Sequence, residues 1–202
     1  MRQPRVVADL SKLPLHGFET ASLTWWGTLA FMLIEGTGFL LTIAVYLYLV
    51  AVAPRWPIGA PPPDWRAGTA TTLVLLLSLV PNVMIARAAE RQDIRRVRVL
   101  LIVMAAFGTA PIPLRVLEFR SLNVLWDSNA YGSVTWFLLG LHSTHFVTDL
   151  AETFVLVAVM FTRHGENRRR FGDVQDNALY WNFVVFTWLP IYAVLYGVPR
   201  LT

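Results

Sequence analysis

Residues 131–161 read YGSVTWFLLGLHSTHFVTDLAETFVLVAVMF, and the fold turns on how this stretch is understood. About 20 apolar residues cross a bilayer, and this run exceeds that length. It nevertheless carries His142, His145, Asp149 and Glu152. At about 100° per residue these four fall within roughly 80° of one another, so they form one polar stripe on an otherwise apolar helix. Ionisable groups at such depth cost several kcal/mol unless they face protein, water or each other. The stripe is therefore expected to point inward, toward another helix.

The rest of the chain agrees with a membrane reading. Of its 202 residues 55% are hydrophobic and only 15% charged, outside the range of an ordinary soluble domain. There is no cysteine, which excludes disulfides, thiolate metal sites and iron–sulfur clusters. A net charge of +4 is no nucleic-acid signal here, because the basic residues sit in short segments between apolar runs. The first apolar run is too long for a cleaved signal peptide, so retention of the N-terminus is expected.

One all-α transmembrane domain is predicted over residues 1–202, with a polar leader at 1–23 and spans at about 24–52, 67–89, 97–119, 131–162 and 179–198. Trp25 and Trp26 open the first span where indoles favour the membrane interface. The prolines of residues 54–63 make a stiff loop, Pro81 is a candidate kink, and Pro111 and Pro113 interrupt the third span. Asp127, Ser128 and Asn129 offer N-caps for the fourth span, and residues 163–177 read as a basic loop. Five spans put the termini on opposite sides. The leader (Arg2, Arg5, Lys12), the second-to-third loop (Arg87, Arg91, Arg95, Arg96, Arg98) and the fourth-to-fifth loop (Arg163, Arg168, Arg169, Arg170) share one side. Only Arg55, Arg66, Arg115, Arg120 and Arg200 remain for the other. The positive-inside rule then makes the N-terminus cytoplasmic and the C-terminus external.

Glu35 lies about eleven residues into the first span, roughly 16 Å from its start and so near the bilayer middle. It could simply bond a facing helix, or it could relay protons or pair with histidine. If it meets His142 or His145, the first and fourth spans are neighbours. A neutral hydrogen bond is favoured there, since a buried ion pair must repay the desolvation of both partners. The two histidines, with Asp149 and Glu152, also invite a metal reading. A hydrogen-bonded seam is the simpler one, because no second ligand cluster appears on another helix. Of four histidines, His16 and His164 lie outside the apolar spans. Two intramembrane histidines are too few to ligate two hemes and a copper. Arg115 and Glu118 read as a local ion pair near the outer end of the third span. The five arginines of residues 87–98 read as a topogenic surface for lipid headgroups. Tyr180, Trp181, Trp188 and Tyr192 read as interface anchors and packing residues.

Three stretches together resemble subunit III of the heme-copper respiratory oxidases, in a short five-helix bacterial form. The first is Trp25-Trp26-Gly27 with Phe31, the buried Glu35, Phe39, Tyr46 and Tyr48; the second is Tyr131-Gly132-Ser133 followed by Gly140, His142 and His145. The third is Tyr180-Trp181-Asn182-Phe183-Val184 with Trp188 and Leu189, and Glu118-Phe119 resembles the family's acidic–aromatic pair closing the preceding helix. The chain departs from the family at Asn182 and Val185, where histidine and aspartate are usual, and at Asp149 and Glu152, where the usual pattern is glycine and apolar.

The resemblance implies an accessory subunit in the bacterial inner membrane, without catalysis, heme or copper of its own. Such a subunit packs beside the heme- and copper-bearing catalytic subunit I and other oxidase subunits, binds phospholipid and sustains proton uptake in aerobic respiration. It also implies two helix groups, the first two spans and the last three, with a lipid-filled cleft between them. The electron donor, cytochrome c or quinol, stays open. The alternatives are an accessory membrane protein of a nitric oxide reductase, a metalloenzyme built on the His142/His145 stripe and, more remotely, a transporter.

Overall fold

The computed structural model describes residues 23–201; residues 1–22 of the leader, with His16, Arg2, Arg5 and Lys12, lie outside the described residues. Every regular element among them is helical: α1 (Leu23–Val52), α2 (Trp65–Glu90), α3 (Ile94–Thr109), α4 (Pro111–Arg120), α5 (Ala130–Met160) and α6 (Arg168–Tyr192). A π turn (Ala193–Gly197) and the short α7 (Val198–Leu201) extend α6. Counting α3–α4 as one span and α6–α7 as another, five segments are long and apolar enough to cross a membrane.

Local chemistry sets the boundaries. Asp64, Asp93, Asn129 and Asn167 cap α2, α3, α5 and α6, each accepting a first-turn backbone N–H on its side-chain oxygen. Among the three caps expected for the fourth span, Asn129 serves, at 2.9 Å from the Gly132 nitrogen. Pro111 ends α3 and opens α4, a position where its missing N–H costs nothing. The expected basic loop at 163–177 is mostly helix. Its arginines are good helix formers and Asn167 provides the start, so the last span begins at Arg168, well before the 179 expected from hydropathy.

Several hydroxyls inside the spans are satisfied within their own helices, as suits a lipid setting. Thr37, Thr42, Thr72, Ser143 and Thr144 each donate to the carbonyl four residues back.

The packing differs from the expected division into the first two spans and the last three. α2 packs on α3, α4 and α6, whereas α1 packs on α5 and α6. The reason lies in which residues each helix can bury. On α1 the buried positions are Glu35, Phe39, Thr42 and Tyr46, a single stripe, and Leu33, Ile34, Leu40 and Leu41 are exposed. α2 instead turns polar groups toward α6. Trp181 Nε1 donates to Ser78 Oγ (2.8 Å), Trp188 Nε1 to Thr72 Oγ1 (2.7 Å) and Asn82 Nδ2 to the Ala178 carbonyl (2.8 Å). Gly68 permits close approach here, since a Cβ would sit 2.5 Å from the Tyr196 ring. Two elements therefore join the halves of the bundle: α6, which packs on α1 and α2, and α5, which packs on α1 and α3.

Candidate functional site

The stripe on α5 divides between two environments. His145 and Asp149 face a groove between α1, α5 and α6, while His142 faces α4 and the core behind it. His145 Nδ1 lies 2.7 Å from Glu35 Oε1, and the Tyr180 hydroxyl donates to Glu35 Oε2 at 2.6 Å. One carboxyl group thus joins α1, α5 and α6. The first and fourth spans are neighbours through Glu35, as expected from the stripe. Phe39 walls the triad, its ring centroid 5.0 Å from that of His145.

His142 does not pair with an acid. Arg115 Nη2 donates to its Nδ1 (3.1 Å), and its Nε2 meets the Val184 carbonyl oxygen (3.0 Å). A guanidinium can only donate and a carbonyl can only accept, so these neighbours select the neutral ring with its proton on Nε2. A third cationisable group lies deep in the bundle beside the two histidines. Arg115 is 6% exposed, its guanidinium held among Glu118, His142 and Trp188.

Arg115 organises a second polar cluster. Its Nη1 donates to Glu118 Oε2 at 3.0 Å, confirming the local pair but placing it in the interior. Glu118 also accepts from Thr71 Oγ1 on α2 and, at 3.0 Å, from the Tyr196 hydroxyl. The guanidinium lies 4.2 Å from the Trp188 ring centroid, within cation–π range. A buried pair is tolerable only when such additional bonds satisfy the remaining donors and acceptors.

Asp149, fully buried, accepts from Asn177 Nδ2 on Oδ1 (3.1 Å), while its Oδ2 receives no hydrogen bond. Asn177 in turn accepts from Thr153 (3.3 Å). Glu152 corrects the inward-facing expectation. It is exposed and lines the groove. Asp176 of α6 lines the same groove and sits against Thr24. Among the described residues no three histidine or carboxylate side chains converge as an ion would require.

The aromatic assignments also shift. Trp181 and Trp188 are 1% and 0% exposed, with both indole N–H groups bonded to α2, so they are core residues rather than interface anchors. Tyr180 is likewise buried against Glu35, while Trp26 remains exposed. Arg98 donates to the Met160 carbonyl (2.7 Å) and lies over the Phe161 ring, and Arg96 pairs with Asp93 (3.0 Å). Of the five arginines expected at lipid headgroups, Arg87, Arg91 and Arg95 remain exposed alongside the exposed Arg96.

Asp176 and Asn177 escaped the sequence reading because residues 163–177 read as a loop, and Tyr180 reads as an anchor and packing residue without its polar partners. Their spacing is the available signal: Asp176 and Tyr180 are four apart, on one helix face.

No protein-family model matches the chain. Among curated proteins, it is 24% identical over 188 residues to cytochrome c oxidase subunit 3 of Thermostichus vulcanus, covering 92% of each chain. It is 28% identical over 194 residues to the probable cytochrome c oxidase subunit 3 of Mycobacterium bovis, covering 90% of this chain and 91% of that one. The subunit 3 of Alkalihalophilus pseudofirmus is 23% identical over 129 residues, 62% of each.

Proposed function

We propose that this chain, which belongs to the cytochrome c oxidase subunit 3 family, is a non-catalytic accessory subunit of a heme-copper terminal oxidase. One observation carries the reading. The three motifs that resemble the family lie on three helices, and one residue from each meets in a single triad, Glu35, His145 and Tyr180. Relatives aligned over about nine-tenths of the chain support the same conclusion.

In this role the subunit packs beside the heme- and copper-bearing chain of a bacterial inner membrane and sustains its proton uptake during aerobic respiration. The triad suits that task, since a carboxyl, an imidazole and a phenol in hydrogen-bond contact can pass a proton among themselves. The Arg115–Glu118 cluster holds α2, α4, α5 and the end of the last span in register. His142 is engaged on both ring nitrogens within this cluster, so we assign heme and copper to the partner. The turns carrying Arg87, Arg91, Arg95 and Arg168 lie at the end of the bundle where α1 starts, which favours a cytoplasmic N-terminus. Arg87, Arg91 and Arg95 would draw anionic phospholipid headgroups there, at about 1 kcal/mol each.

Purification from native membrane in mild detergent tests the assignment. A larger heme-bearing chain is expected to co-purify. Isolation as a spectroscopically blank homo-oligomer would overturn it.

A further inference from the structure

The groove between α1, α5 and α6 holds more acid than the triad uses. Asp149, Glu152 and Asp176 line it together with Glu35, and Asp149 Oδ2 is shut from solvent without a donor. An unsatisfied buried carboxylate oxygen is costly and calls for a donor. Asn177 already occupies Oδ1, and the groove that Asp149 lines is the open side from which a donor can come.

The wall beside these acids has the texture of a helix-docking surface. On α5, Gly140, Thr144 and Thr148 recur every four residues; both threonines are exposed and line the groove, and a Cβ at Gly140 would meet nothing within 4 Å. Thr144 and Thr148 donate their hydroxyls back to their own helix at 3.0 and 3.1 Å, leaving small, satisfied surfaces outward. Such stripes let helix backbones approach closely within a bilayer.

We infer that this groove is the docking site for a transmembrane helix of a partner subunit, which lies along Gly140, Thr144 and Thr148 and delivers an arginine or lysine side chain to Asp149. Glu152 and Asp176 flank the incoming cation. Depth favours a protein side chain over a lipid amine. Asp149 lies eleven residues from the end of α5 at Met160, about 16 Å at 1.5 Å per residue. That exceeds the roughly 5–8 Å headgroup layer in which lipid amines reside. The inference rests on the subunit reading only in requiring that a partner exist.

The test places a photo-crosslinking amino acid at Thr148 in the intact complex in native membrane. The expected adduct joins a transmembrane segment of another protein chain, within one helical turn of an arginine or lysine. Asp149→Asn keeps an acceptor for Asn177 but loses the charge, and it is expected to lower that adduct at least about tenfold at equal membrane levels, with Asp149→Glu retaining more. Thr148→Leu, with the crosslinker moved to Thr144, blocks the stripe without touching an acid and is expected to weaken the adduct as well. Adducts with phospholipid only, with a second copy of this chain, or with a partner but indifferent to Asp149→Asn would each overturn the inference. A co-purifying heme-bearing chain with lipid-only adducts sinks this inference alone. Loss of both sinks the subunit reading with it.

Discussion

Glu35 Oε1 on α1 lies 2.7 Å from His145 Nδ1 on α5, and this contact, with the bond from Tyr180, is a central polar attachment of a helix whose outer faces are apolar and exposed. Glutamine in place of Glu35 can still accept from Tyr180 and donate to His145. Glu35→Gln is therefore expected to assemble normally while altering turnover-linked proton supply to the partner. Glu35→Ala strands the phenol and the imidazole, at about 1–3 kcal/mol for each unsatisfied group. Thermal unfolding in detergent separates the two variants. Unchanged proton pumping and enzyme lifetime in Glu35→Gln would leave the residue a structural role only.

Removing either member of the Arg115–Glu118 pair leaves the other charge buried alone. Each of Arg115→Leu and Glu118→Leu is expected to cost about 3–5 kcal/mol, and the double variant less than the sum of the two. Arg115→Lys should also destabilise, because an ammonium cannot bond Glu118 and His142 while stacking on Trp188. Melting curves of the four variants check the cycle.

Two glycines make a sharp steric contrast. A Cβ at Gly132 would run into the Leu125 carbonyl oxygen, which is backbone and cannot swing away, whereas one at Gly38 meets nothing within 4 Å. Gly132→Ala is expected to destabilise by about 1–3 kcal/mol. Gly38→Ala should be neutral or stabilising by up to about 1 kcal/mol, since alanine favours helix. Equal melting temperatures for the two would contradict the packing at the start of α5.

The absence of cysteine offers a direct test of topology. Gln92→Cys lies in the turn between α2 and α3, and Asn123→Cys in the loop between α4 and α5, at opposite ends of the bundle. An impermeant thiol reagent is expected to label Asn123→Cys in intact cells and Gln92→Cys only in inverted vesicles. The reverse pattern would overturn the cytoplasmic assignment of the N-terminus.

The sequence by itself determined the number of spans, a cap among Asp127, Ser128 and Asn129 for the fourth of them, the proline break after α3 and the membership of Glu35 in a polar contact with α5. These follow from hydropathy, backbone chemistry and helical periodicity, all of which act over a few residues at a time. Periodicity also placed His142 and His145 on one face, but it could not say that one turns to Arg115 and the other to Glu35. Those two rings point into different gaps because Arg115 of α4 fills one gap and Glu35 of α1 fills the other. The burial of Trp181 and Trp188, and the role of Tyr180, were likewise decided by the placement of α6 between α2 and α1. Which neighbour satisfies a buried polar group depends on contacts between residues far apart in the chain, and only the packed tertiary structure settles them.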